Sequence, residues 1–149
     1  MKERLFTEYN IIVILFIFFN AVIYKDRSLF YLGLIILFYK FNNYDKSISN
    51  CGKLINVYPL KGFCYKGMLL NNLKDYENSL DCLLKAEEIL LNDNEDDIVN
   101  KMQSAEIIYF YICDTYQKLG YLDKLKEYEN KAEKYQIECL TEIQMQNYR

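Results

Sequence analysis

Two long uncharged runs at the start of the chain restrict its fold more than any other feature. Residues 9–24 carry no charged side chain, residues 28–39 again carry none, and the charged triplet at 25–27 separates them. Neither run has a polar face, and a helix that is apolar all round lies either in a large core or in lipid. We therefore predict a very apolar N-terminal helical hairpin, with Ser28 as the N-cap of its second arm.

The length of the first run favours membrane attachment. When the first arm is extended back to Leu5 it reaches twenty residues, which is about 30 Å of helix and enough to cross the hydrocarbon region. The second arm is shorter, and apolar stretches of that length are also common in buried helices. We assign residues 1–41 as a membrane anchor, with membrane contact through residues 5–41. The alternative is a hairpin that forms a protein–protein seam inside a larger complex.

Charge and cysteine usage predict the side of the membrane. Both ends of a two-armed hairpin lie on one side, and the early Lys2 and Arg4 place that side in the cytoplasm. Five cysteines with no close pair indicate a reducing compartment. No small-residue cleavage site follows the first run, so the anchor is expected to stay uncleaved. A single span would instead place Tyr44 and the residues after it outside.

The rest of the chain has the periodicity of helices. Apolar side chains recur at spacings of three and four, which predicts helices over 60–73 and 76–91, joined by a tight turn and therefore antiparallel. The same spacing predicts one long helix from about 95 to 119, ended by Gly120, and a final helix over 122–145. One proline and five glycines are too few for a turn-rich all-β fold.

The residues of segment 60–93 also form a recognisable pattern: a glycine, an apolar residue three positions later, a tight turn, and spaced small residues. They are Gly67, Leu70, Tyr76, Glu77, Ser79, Leu83 and Ala86. This pattern resembles the tetratricopeptide repeat (TPR). It returns in a degenerate form over about 28–59 and again over 106–139. Tyr44 and Tyr76 lie 32 residues apart, close to the family's period of about 34.

The fold class expected from the periodicity and the resemblance together is all-α. Residues 42–149 are expected to form an antiparallel helical-hairpin, TPR-like αα-superhelix, preceded by the apolar hairpin. Within it, Gly67 and Ala86 are expected to face each other across adjoining helices, because the repeat's interhelical contact needs small side chains. Lys85 and Glu87 are expected on the solvent-exposed face.

The resemblance also implies a function, because TPR domains are mainly scaffolds whose first helices line a groove that binds another protein. The groove residues carried over onto this sequence are Cys64, Met68, Asn71, Asn72, Phe110, Tyr111, Asp114, Gln117 and Lys118. Two of them, Phe110 and Tyr111, could equally pack against neighbouring helices. The positions that match the family's clamp for a C-terminal carboxylate are Leu32 and Ile36, so that activity is not supported.

Several function classes are disfavoured. Residues 62–149 carry a net charge of −7, and an acidic body argues against nucleic acid, whose phosphates need a basic face. The sequence has no histidine, no metal-ligand spacing and no phosphate-binding glycine loop, so we expect no enzyme, cofactor, metal or small-molecule substrate. The acidic cluster 95–97 is interpreted as helix capping. The sequence thus predicts a membrane-tethered, TPR-like adaptor, with its repeat domain on the cytoplasmic side, that binds a peptide or helix of another protein.

Overall fold

The computed structural model describes residues 11–92 and 98–147. These residues form seven helices and no strand, which confirms the all-α prediction. The predicted start of the long helix near residue 95, and the acidic cluster beside it, lie outside the described residues. The helices are α1 (Ile11–Ile23), α2 (Arg27–Lys40), α3 (Tyr44–Val57), α4 (Pro59–Asn72), α5 (Tyr76–Asn92), α6 (Ile98–Leu119) and α7 (Leu122–Asn147).

The start of α2 differs from the sequence prediction. Asp26, and not Ser28, is the N-cap residue. One carboxylate oxygen of Asp26 accepts hydrogen bonds from the backbone N–H of Ser28 at 2.8 Å and of Leu29 at 3.3 Å, and from the Ser28 hydroxyl at 2.7 Å. A carboxylate at this position satisfies amides that have no partner inside the helix. Ser28 therefore contributes to the cap as a donor, two residues after the N-cap residue.

Four helix ends share one turn geometry. The turn residues after α1, α2, α4 and α6 have positive φ, and they are Lys25, Asn42, Lys74 and Gly120. In each turn the next residue donates its backbone N–H to a carbonyl five positions earlier, at 2.8–3.1 Å. This is the hydrogen bond of a Schellman motif, which ends a helix while satisfying one of its last carbonyls. The chain can therefore begin a new helix within three residues of the previous one.

The chain divides into two compact units between Gly62 and Phe63, within α4. In the first unit, α1 packs against α2, and α2 packs against α3. A side chain at Gly33 would lie 3.2 Å from the Phe18 ring, so the glycine allows α1 and α2 to approach closely. The predicted division at residues 41 and 42 separates an anchor from a repeat domain, and it stays a prediction.

Within residues 11–92 and 98–147, no helix combines the length and the apolar character needed to cross a bilayer.

In the second unit, α5 packs against α6, and α6 packs against α7. Its most deeply buried apolar side chains come from α4, α5 and α6, and they are Met68, Leu69, Leu83, Leu90, Ile108 and Ile112. Gly67 allows close contact between α4 and α5, as the sequence suggested, but its nearest neighbours are Leu83 and Ser79 rather than Ala86. Ala86 is fully buried.

The contact between consecutive helices has the same chemistry in both units. In the first unit the Ser47 hydroxyl donates to the carbonyl of Ile35 at 2.8 Å. In the second unit the Ser79 hydroxyl donates to the carbonyl of Gly67, also at 2.8 Å. Both serines are completely buried, and they lie 32 residues apart in the sequence. The described part of the chain is therefore repeat-like in its hydrogen bonds as well as in its helices.

Glu87 was expected on the exposed face, and the structure shows that this was wrong. Its side chain is 5% exposed. The carboxylate lies 2.7 Å from the Lys131 ammonium on α7 and accepts a hydrogen bond from the Tyr128 hydroxyl at 3.2 Å. A buried carboxylate is tolerated only with such partners. Periodicity did not reveal them because both lie more than forty residues later in the chain.

Candidate protein-binding face

The nine residues that the sequence analysis assigned to a binding groove divide into two groups. Five are buried in the second unit, namely Cys64, Met68, Asn71, Tyr111 and Asp114. Four keep accessible surface: Asn72 is half-buried, while Phe110, Gln117 and Lys118 are exposed. The accessible part of the predicted groove therefore lies mainly on one face of α6.

The buried polar members of this set connect α4 to α6. The Asn71 side-chain amide donates to the Thr115 hydroxyl at 2.8 Å, and Thr115 in turn donates to the carbonyl of Tyr111 at 2.6 Å. The Lys118 ammonium donates to the Asn71 side-chain oxygen at 3.1 Å and lies 2.7 Å from the Asp114 carboxylate. Satisfied buried networks of this kind fix the relative position of the elements that they join.

Lys118 is the member of the network that reaches the surface. Its side chain is 31% exposed, and its ammonium lies 5.1 Å from the centre of the Tyr76 ring, within the range of a cation–π interaction. A lysine ammonium has three N–H donors, and Asp114 and Asn71 account for two of them. The third can bind an acceptor on another molecule without breaking the network.

Thr115 was not included in the predicted groove, although it is the hydrogen-bonding centre of the network. It is completely buried, like its neighbour Ile112. A polar residue between the inward positions of a helix is the sequence signal that could have identified it. The signal is weak because a threonine can also bond to its own helix backbone, as Thr115 does here.

A second accessible surface lies on α1, in the first unit. Among the residues of this helix whose side chains the structure describes, five large apolar ones are more than half exposed: Leu15, Phe16, Phe19, Val22 and Ile23. Exposed lysine and arginine follow at Lys25 and Arg27. Contiguous apolar surface next to charged residues is typical of sites that bind another protein or a membrane.

Comparisons with family models, with curated proteins and with solved structures find no match.

Proposed function

We propose that this chain is a TPR-like adaptor that binds a segment of another protein through the accessible face of α6 and is tethered to a membrane through its N-terminal helices. The observation that carries the proposal is the buried network of Asn71, Thr115 and Asp114, which holds Lys118 at the surface. A rigidly held surface cation on the same helix as the exposed Phe110 and Gln117 is suited to binding a peptide or helix with good complementarity.

The repeat character of the helices supports the TPR-like assignment. The matching serine-to-carbonyl hydrogen bonds of Ser47 and Ser79 have the spacing of one repeat. The turn residues Asn42 and Lys74, which share a positive φ, lie at the same spacing. Repeat proteins of this kind use their stacked helices as an extended binding surface.

A membrane is the occupant that we propose for the exposed face of α1. At a membrane, the side chains of Phe16, Phe19 and Val22 would be removed from water, while Lys25 and Arg27 would remain beside anionic headgroups. Burial of apolar area and attraction to anionic lipids are the two contributions that hold helices at a membrane. The repeat domain would then lie on the cytoplasmic side.

Vesicle flotation tests the tether. The full-length chain is mixed with vesicles that contain phosphatidylserine, and the bound fraction is measured. We expect the triple variant Phe16→Ser, Phe19→Ser, Val22→Ser to lose most of its binding, because these side chains carry the apolar area. The triple variant Val57→Ser, Leu91→Ser, Ile137→Ser is the matched control, since these residues are also exposed and apolar but lie outside residues 1–41. Equal binding by both variants would exclude the tether and favour the protein–protein seam.

Site-directed crosslinking tests the binding face. A photo-crosslinking residue replaces Gln117 on the accessible face of α6, and a control chain carries it in place of Glu133, which is exposed on α7. We expect one specific protein to be crosslinked from position 117, and far less of it from position 133. Indistinguishable crosslinking patterns from the two positions would contradict the proposed groove.

A further inference from the structure

A cavity of about 400 Å³ lies between α6 and α7, within the second unit. Its volume falls in the range of sites that hold a small ligand or a partner's side chain. Aromatic residues form much of its wall: the rings of Tyr109 and Tyr135 lie 5.9 Å apart, and Phe110 is 45% exposed. The cavity is therefore lined in part by aromatic side chains and opens to solvent.

The charged side chains that line this cavity are both acidic. Glu106 on α6 and Glu129 on α7 are exposed. Neither forms an ion pair with a residue in the described part of the chain, in contrast to Glu87, which is neutralised by Lys131. Among the described residues, no lysine or arginine lines the cavity. Two carboxylates that have no ion-pair partner among the described residues thus flank an aromatic pocket.

The negative potential reaches the interior of the cavity. The Cys113 thiol is part of the lining, and its pKa is raised to about 11, first by burial and second by the charge of Glu129. A cation inside the pocket would lie among carboxylates and ring faces, and both attract positive charge. The net charge of −7 on residues 62–149 would also steer a basic partner towards this unit.

We infer that this pocket binds a single basic side chain, lysine or arginine, from the partner protein. The inference rests on the proposed function, because it names the partner's chemistry: the docked segment carries a cation next to the α6 face that includes Phe110. The aromatic walls hold the apolar stem of such a side chain, while Glu106 and Glu129 pair with its charged end. An acidic or purely apolar segment would leave both carboxylates without a partner.

Protection of Cys113 from alkylation gives a site-specific test. Cys113 is half-buried and lines the pocket, whereas the other four cysteines are buried. The full-length chain in nonionic detergent is titrated with a blocked pentapeptide of glycines around one central lysine, and the rate of Cys113 alkylation by iodoacetamide is followed by mass spectrometry. We expect saturable protection by the lysine peptide and by its arginine analogue. Protection should be absent with the norleucine peptide, whose side chain has the same four carbons as lysine but no charge.

Three variants distinguish binding of the peptide in the pocket from its general attraction to an acidic protein. Glu106→Gln with Glu129→Gln should weaken the apparent affinity about tenfold, because two partly exposed charge pairs are lost. Glu77→Gln with Glu133→Gln removes the same charge from exposed positions outside the cavity, and it should leave the affinity unchanged. Phe110→Ala should weaken binding about two- to fivefold through the lost cation–π contact.

Equal weakening by the two acidic pairs, or equal protection by the norleucine peptide, would overturn the inference. So would a complete lack of protection. Crosslinking from position 117 distinguishes failure of this inference from failure of the proposed function. A crosslinked partner without peptide protection rejects the basic-residue pocket alone, whereas peptide protection without any crosslinked partner rejects the adaptor and leaves a cation site.

Discussion

At the scale of single residues, two glycines differ in the space around them: one lies at a close contact between helices, and the other has open space beside it. A Cβ atom at Gly67 would lie 2.6 Å from the Leu83 side chain and 3.2 Å from the Ser79 carbonyl oxygen. Leu83 is fully buried and has no room to move away. A Cβ atom at Gly52 would meet nothing within 4 Å. Both glycines lie inside helices, so the same substitution at each reports mainly on the surrounding space.

We expect Gly67→Ala and Gly52→Ala to have opposite effects on the free energy of unfolding. Gly67→Ala should lower it by about 1–3 kcal/mol through overpacking. Gly52→Ala should raise it by roughly 0.5–1 kcal/mol, because alanine has the better helix propensity. The measurement is urea unfolding of the full-length chain in detergent, followed by circular dichroism. Unfolding midpoints that rise together would show that α4 and α5 are not in close contact at Gly67.

At the scale of helices, equivalent contacts recur along the chain, and their energies should match. Ser47→Ala and Ser79→Ala each remove one buried hydrogen bond to a carbonyl on the preceding helix. We expect each to lower the free energy of unfolding by about 0.5–1.5 kcal/mol. Ser49→Ala on the exposed face of α3 is the control, with a change below about 0.5 kcal/mol. An effect at only one of the two buried serines would argue against repeat equivalence.

Helix positions and inward faces could be predicted from the sequence because both follow local periodicity. The predicted helix 76–91 corresponds to α5 (Tyr76–Asn92), and the predicted helix 122–145 corresponds to α7 (Leu122–Asn147). On α7, Tyr128 and Cys139 are buried. Apolar side chains at regular spacing specify one buried face of a helix, and this holds whichever elements pack against that face.

A second buried face could not be predicted in the same way. Asp114 was assigned to the groove, and Tyr111 either to the groove or to packing against neighbouring helices; both are buried. In the same stretch of α6, Thr115 meets Asn71 of α4. Periodicity identifies a helix's most apolar face, but it does not reveal polar residues that are buried through partners distant in sequence. The residues that remain accessible, Phe110 and Gln117, could not be told from their buried neighbours by residue type.

At the scale of the whole molecule, stability should fall in alkaline solution. Burial raises the pKa of the Cys64 thiol from 9.0 to about 12, while in the unfolded chain that thiol has its ordinary pKa. Below pH 9 both states keep the proton, and the full stability is present. Above pH 9 the unfolded state releases the proton first and is favoured. Linkage then lowers the free energy of unfolding by up to about 1.4 kcal/mol per pH unit for one such group.

Urea midpoints measured under reducing conditions at pH 7.5 and pH 10.5 test this expectation. The midpoint should be lower at pH 10.5, and the decrease should be smaller in Cys64→Ala, which lacks the titrating group. Comparing the two pH values within each variant removes the effect of the small cavity that the substitution leaves. An identical decrease in both chains would assign the alkaline sensitivity to other groups, such as Tyr128, whose pKa burial also raises.

The turns that end the helices show where this chain falls short of its attainable stability. Of the four turn residues with positive φ, Lys25, Asn42 and Lys74 keep a side chain, and Gly120 has none. A lysine in this conformation costs roughly 1 kcal/mol relative to glycine. Selection removes only variants that fall below the stability needed for function, so such costs persist in natural chains. Lys74, which lies outside the proposed tether, is therefore the natural starting point for engineering a more robust protein without altering a buried side chain.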